Sequence, residues 1–315
     1  MSRSPSATVG GQAVLEGVMM RAPAGWAVAV RRPDGVIEAK SHELPRLSTR
    51  SVLARIPFVR GVMVLGESLS LGFRALSWSA QKAGDDDERI SRGQAIGTMV
   101  VAVLLAILLF LVAPAFAASF LKRFVSDTSI GFVVLDGLIR IALIVGYVWA
   151  ISRSSEIQRV FQYHGAEHKT IHAYEAGDPL DIAAIQRYSP RHPRCGTSFI
   201  IIVGLVAFFV FLALAPLPFV WQVLGRVILI PVIAGVSYEV LRMAADRAWL
   251  GWASRPGIWL QAVTTRQPGD DQVAVAIASL LAALTTEERD EVALRGPVAP
   301  AALAAEYDVP EPADG

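Results

Sequence analysis

Hydrophobic positions along the chain fall into three patterns, each with its own structural meaning. No charged residue occurs from Ala95 to Phe120, and only Asp136 and Arg140 interrupt the apolar run from Ile130 to Ile151. Each run is long enough to cross a hydrocarbon core, which takes about 20 apolar helical residues. Two further runs, Phe199 to Ala215 and Phe219 to Val240, flank Pro216-Leu217-Pro218, a sequence that stops one helix before the next begins. The pattern predicts four transmembrane helices, the last two joined as a hairpin.

Near the N-terminus the apolar runs are short. Gly17 to Arg21, Trp26 to Arg32 and Val36 to Ser41 read as strands, the last two joined by the turn residues Arg32-Pro33-Asp34-Gly35. A three-stranded meander of this size is stable only when packed on something. Phe58 to Trp78 repeats with helical period. At about 100° per residue, Phe58, Val62, Leu65, Leu69, Phe73 and Leu76 share one side, and Arg60, Glu67 and Arg74 fall opposite. Such a helix covers the strands or lies on the cytoplasmic membrane face. Asp85 to Glu88 form an acidic, solvated link to the first span. Beyond the fourth span, Ser254-Arg255-Pro256-Gly257 breaks the chain and Pro268-Gly269-Asp270-Asp271 starts a helix over Gln272 to Leu284. From Gly296 onward Pro, Ala and acidic residues predict a disordered tail.

The expected fold class is membrane α-helical, with about four transmembrane helices, amphipathic helices and a small N-terminal β meander. Residues 1–94 form the cytoplasmic meander and amphipathic helix, 95–151 the first two spans, and 152–198 a cytoplasmic loop. Residues 199–240 form the second pair of spans, 241–295 cytoplasmic helices and 296–315 the tail.

Composition agrees. Apolar residues make up 53% of the 315 and charged residues 18%, where a soluble domain carries about 25% charged, so the excess is expected to face lipid. A net charge of +1 gives no reason to bind nucleic acid, and a single cysteine excludes a disulfide within the chain. Met1 to Gly10 lacks the apolar core of a secretory signal, so targeting is expected from internal segments. Thirteen Lys and Arg precede Ala95, six lie between Ser152 and Ser198 and six follow Val240, against Lys122 and Arg123 in the loop after the first span. The positive-inside rule then places both termini and the central loop in the cytoplasm of a bacterial inner membrane. Asp136 and Arg226 fall at matching depths in the second and fourth spans, and Arg140 lies one turn below Asp136. A buried clasp between helices is expected ahead of an ion path, since a transporter usually carries more than one such cluster.

The central loop holds the candidate chemistry. His164, His168 and His172 recur every four residues in a proline-free segment that runs from Ser155 to Glu175 and stops before Gly177. On a helix they lie at about 0°, 40° and 80°, and Glu175 returns to about 20°. His164 and His172 are about 12 Å apart along the axis, too far to share an ion, whereas an i,i+4 pair about 6 Å apart converges on a metal. Either His164 with His168 or His168 with His172 meets that condition. The first pair reads His-x-x-Glu-His, the spacing of inverted zinc peptidases, in which two histidines ligate and the glutamate acts as general base. A divalent metal, with zinc as the leading candidate, is thus expected, with Glu167 as its catalytic partner. Cys195, in Arg191-His192-Pro193-Arg194-Cys195-Gly196-Thr197, is the expected third ligand, its thiolate favoured by Arg194. His192, Glu239 and, more distantly, Glu16 are alternates. Cys195 as a nucleophile with a histidine base is a further option, though no basic residue follows it before the membrane.

Three motifs together carry a family resemblance: Gly10 to Arg21 (GGQAVLEGVMMR), Tyr163 to Glu175, and His192 to Phe199 (HPRCGTSF). In that order they resemble the YqhQ-like bacterial membrane proteins of unknown function, often labelled metal-dependent enzymes. The resemblance covers roughly residues 9–284 and implies a shared fold and site. It maps the family's histidine motif to His164, Glu167 and His168 and its cysteine motif to Cys195. Two functions follow as expectations. One is a metal-dependent hydrolase acting on a lipid-linked or membrane-proximal substrate. The other is a non-catalytic membrane scaffold or assembly factor with a structural metal or a partner-docking histidine helix.

Overall fold

The structure, a computed structural model, describes residues 9–44, 56–84, 92–125, 129–193, 195–246 and 255–308. The acidic link Asp85 to Glu88 lies outside them. Strands β1 (Gly10–Val14), β2 (Gly17–Arg21), β3 (Gly25–Arg31) and β4 (Ile37–Glu43) form an antiparallel meander, and β5 (Glu306–Asp308) adds in parallel to β4. Two of these strands escape the sequence pattern. Glycines and a glutamine dilute the alternation in β1, which forms by folding back on β2 through Leu15 and Glu16, the latter at φ 50°.

The expected disordered tail needs correction as far as Asp308. Helix α13 (Pro300–Leu303) buries Ala302 and is preceded by the buried Ala299. Glu306 then pairs with Arg32 at 2.9 Å and Asp308 with Lys40 at 2.6 Å. A composition that favours disorder was overridden by a free sheet edge bearing cations.

The sheet is covered on both faces, which explains the near-continuous apolar character of β2 and β3. Trp26, Val28 and Val30 meet Leu71 and Ala75 of α1 (Pro57–Ala83). Ala27, Ala29, Val18 and Met20 face the other way, onto α5 (Ser155–Ala176) and α11 (Asp270–Ala283). Every residue of α11 from Gln272 to Ala283 is buried, and its alanines let strands and helices approach closely. Short helices α6 (Ile182–Gln186) and α12 (Thr286–Arg295) close the rim.

Helix α1 packs differently from its sequence pattern. Its sheet-facing side is Leu71, Gly72, Ala75 and Ser79, while Leu69 and Leu76 of the expected buried stripe are 66% and 43% exposed. Glu67, expected on the polar side, is only 7% exposed. The N-terminal half crosses α9 (Ile230–Asp246) so tightly that a Cβ on Gly61 would lie 2.7 Å from the Gly235 carbonyl oxygen.

The remaining helices are apolar. Helix α2 (Arg92–Ile107) continues through a π-turn at Leu108–Val112 into α3 (Ala113–Val125). The π-turn precedes Pro114, whose missing N–H and ring are not accommodated by a regular α-helix. With α4 (Ser129–Ile151), this gives two helices long and apolar enough to cross a membrane, Ile96–Leu121 and Gly131–Ile151. Helix α8 (Phe219–Ile228) meets α9 at a bend of 51°, next to Pro231, and the pair makes a third candidate if counted as one span. Helix α7 (Gly196–Leu214) carries a shorter apolar stretch, Phe199–Leu214. The described residues thus give two or three candidate spans by length, against about four expected.

Asp136, 1% exposed, accepts from Arg140 at 3.0 Å and Arg226 at 3.2 Å, and both guanidinium groups lie over the Phe211 ring. One carboxylate therefore ties α4 to α8 inside an apolar cluster with Phe132 and Ala207. Replacing Asp136 with Asn strands two buried cations. The expected cost is about 3–5 kcal/mol, read as a lowered unfolding midpoint in detergent, and Asp136→Asn combined with Arg226→Met should recover part of it.

Candidate metal centre

Helix α5 starts after Ser154 and stops at Gly177, which adopts the left-handed conformation (φ 78°) that glycine tolerates best. Between Tyr163 and Tyr174 nearly every side is buried, including Glu167, His168, Lys169 and Thr170. Buried polar groups must find partners, and the neighbouring backbone supplies most of them. Lys169 donates to the Gln186 carbonyl at 2.8 Å. The segment after α10 (Arg255–Thr264) passes so close that a Cβ on Gly165 would sit 2.0 Å from the Arg266 carbonyl oxygen.

Two of those carbonyls orient the histidines. His164 Nδ1 donates to the Thr264 carbonyl at 2.8 Å, and His168 Nδ1 to the Pro190 carbonyl at 2.7 Å. A carbonyl only accepts, so each Nδ1 carries the proton and each Nε2 presents a lone pair. The rings lie 4.4 Å apart between centroids. His164 Nε2 is 3.2 Å from Cys195 Sγ, and the ligand atoms of His164, His168 and Cys195 all lie within 4.8 Å of one another. Donors on one tetrahedral zinc stand about 3.3–3.6 Å apart, given bonds of about 2.0–2.3 Å, so a small contraction would let the three share an ion. Carbonyl-oriented imidazoles are the usual outer shell of metal-ligating histidines.

Glu167 faces this group from one turn along the helix. It is 4% exposed, and its Oε2 is buried with no hydrogen-bond partner. Burial pushes its carboxyl up to about 8, opposed by nearby His164 and reinforced by Cys195. The orphaned oxygen of a carboxyl near His164 and Cys195 adds an oxygen donor to the two imidazoles and the thiol, a set that suits a divalent cation and a water. Burial also drives His168 down to about 2, keeping its ring in the neutral form that ligates.

The alternates do not join this group. His172 is turned over, donating Nε2 to the Arg191 carbonyl at 3.0 Å and stacking on Tyr188. His192 is buried beside His172, with its Nε2 3.7 Å from a Glu175 oxygen, and burial lowers it to about 4. Glu239 is held by Arg60 Nη2 and Nε at 2.7 and 3.1 Å, and Glu16 is held by Arg159 and Tyr163.

Sequence reasoning missed two contributors. Gln261 is fully buried, and its amide accepts from His192 N–H at 2.8 Å and donates to the His192 carbonyl at 2.9 Å. It thereby fixes the turn leading to Cys195 in the way a neighbouring strand would. Gly11 of β1 passes against Glu167, where a Cβ would lie 3.0 Å from Oε1. A lone glutamine in a helix carries no signal of such a role; the Gly10-Gly11 pair in the first motif was a visible hint of close backbone approach.

Residues 56–286 match the model of a family described as a protein of unknown function, DUF1385. The chain belongs to the DUF1385 family. Its relative in Bacillus subtilis (strain 168), described as uncharacterized protein YqhQ, is 36% identical over 301 residues, covering 90% of this chain and 94% of that one. The YqhQ-like resemblance read from three motifs is thus shown. No solved structure matches. The DUF1385 match spans α1 through α11 and so takes in His164, Glu167, His168, Cys195 and Gln261.

A carboxyl held neutral by burial ionises first in the unfolded chain. From its ordinary 4.5 to about 8, the unfolded state releases the Glu167 proton while the folded metal-free state retains it, so this group subtracts stability as pH rises through that window. In chelator-treated protein, Glu167→Gln should therefore raise the unfolding midpoint at pH 8 relative to the parent and change it little at pH 4.5.

Proposed function

We propose that this DUF1385 protein is a multi-pass inner-membrane hydrolase with a divalent metal, zinc by its donor set, on His164, His168 and Cys195 at the cytoplasmic membrane face. The observation carrying the reading is the convergence of two carbonyl-oriented imidazoles and a thiol next to the unpartnered Glu167 oxygen. In this reading α2 to α3, α4, α7 and the bent α8–α9 pair are four spans, with both termini cytoplasmic as the Lys and Arg distribution favours. Cys195 immediately precedes the apolar α7, and Trp259 on α10 is 82% exposed. Both support a site at the height of lipid headgroups, where tryptophan is enriched, and hence a lipid-linked or membrane-proximal substrate.

Each residue has a separate task. His164 and His168 offer Nε2 lone pairs held in place by the Thr264 and Pro190 carbonyls, and Cys195 offers sulfur as the third donor. A zinc ion, when bound there, supplies a Lewis acid that polarises the scissile group and makes water more acidic. Glu167 takes a proton from the attacking water and hands it to the leaving group, a role suited to a carboxyl whose burial lifts it toward neutral pH. Gln261 positions the Cys195 turn without touching substrate.

Purified protein is expected to contain about one equivalent of metal, as three protein ligands on one ion require, and His164→Ala and His168→Ala to lose it; full-length protein free of metal by elemental analysis would sink the proposal. Glu167→Gln should keep the metal yet fail to complement a deletion phenotype, whereas full complementation would favour the scaffold reading. Gln261→Ala is expected to weaken metal affinity about 10–100-fold, as loss of outer-shell partners does, measured by chelator competition.

The 3.2 Å approach of Cys195 Sγ to His164 Nε2 favours a second reading, a cysteine nucleophile with His164 as base and the Thr264 carbonyl orienting it. Activity that survives chelation and is abolished by thiol alkylation would select it.

A further inference from the structure

Helix α1 is arranged inside out for a water-facing helix. Leu69 is 66% exposed and Leu76 43%, with Leu65 and Phe73 half-buried along the same stripe, while Glu67 is 7% exposed. Arg60, the other charge of this half, is spent on Glu239 of α9 through its Nε and Nη2. From Gly61 to Phe73 the outer surface therefore carries no charge, because Glu67 is the one charged residue in that stretch and it is turned inward. A protein in water buries its leucines and exposes its glutamates; the reverse order is what a hydrocarbon neighbour selects.

The partner element points the same way. Helix α9 belongs to the bent pair that qualifies as a candidate span, and α1 meets it through Gly61 against Gly235 at backbone contact, the close small-residue crossing common between membrane helices. Arg74, on the side of the helix away from the stripe, where it lines a groove with Trp26, Lys40, His42 and Trp78, is exposed and, among the described residues, has no ion-pair partner, as suits a residue on the aqueous side of an interfacial helix. A protein partner would be expected to meet a charged or polar rim around the apolar patch, and from Gly61 to Phe73 the outer surface offers only two serines, Ser68 half-buried and Ser70 exposed.

We infer that α1 is a membrane-seated helix, with Leu65, Leu69, Phe73 and Leu76 immersed in the acyl region of the cytoplasmic leaflet and Arg74, on the opposite side of the helix, toward water. The inference rests on the membrane reading above. Its consequence is mechanical: the sheet is carried on the other side of the same helix through Leu71 and Ala75, so immersion of α1 sets the height of β1, and with it of Gly11 against Glu167.

Spin labels introduced by Leu69→Cys, Arg74→Cys and Leu104→Cys, with the unsubstituted protein as the Cys195 blank, test this in vesicles of phosphatidylethanolamine and phosphatidylglycerol. Collision with dissolved oxygen is compared with collision with a water-soluble nickel chelate. The Leu69 and Leu104 labels should favour oxygen several-fold more than the Arg74 label. A Leu69 label as open to the chelate as Arg74, with Leu104 still favouring oxygen, overturns this inference alone. A Leu69 label shielded from both reagents also overturns it, because a protein then covers the stripe. Chelate access at Leu104, in the middle of Ile96–Leu121, would overturn the membrane reading itself. Leu76→Cys supplies the same readout if Leu69→Cys does not fold.

Discussion

From Tyr163 to Tyr174 helix α5 is rich in polar side chains yet buried on nearly every side, and that conflict sets most of what surrounds it. A buried imidazole, ammonium or carboxyl costs several kcal/mol unless it is partnered, so carbonyls from three separate segments are brought to it: Thr264, Pro190 and Gln186. Close backbone approach follows, and it demands glycine at Gly165 and Gly11. Helix α11 and the sheet supply the apolar mass that keeps these segments pressed together. Two buried oxygens of this helix have no hydrogen-bond partner, Glu167 Oε2 and Thr170 Oγ1, and the first belongs to the carboxyl that lies near His164 and Cys195.

The molecule is thus organised around two interiors with opposite rules. In the sheet layer, apolar side chains turn inward onto α1 on one face and onto α5 and α11 on the other. In the apolar helices, charge turns inward: Asp136 gathers Arg140 and Arg226, and Arg60 meets Glu239. Helix α1 passes from one regime to the other, sheet-packing through Leu71 and Ala75 and charge-inward through Arg60 and Glu67. The candidate metal centre lies close to the same junction, since Cys195 borders α7 while Glu167 borders β1.

Sequence alone determined the long apolar runs, the strands β2 to β4, the histidine helix with its stop at Gly177, the candidate set His164, Glu167, His168 and Cys195, and the family. These are local or nearly local properties: hydrophobic length, period 2 or 3.6, and residue types at fixed spacing. The pairing of Asp136 with Arg226 was also legible, because equal depth in a membrane is a one-dimensional quantity. Tertiary structure decided what depends on neighbours. It brought His164 and His168 together with Cys195 and turned His172 instead toward the Arg191 carbonyl and Tyr188. It ordered the tail through a cationic sheet edge, recruited Gln261 and Gly11, and turned α1 so that Leu69 and Leu76 face outward. Periodicity says that a helix has two faces; only the packing of the remaining chain says which of them meets protein.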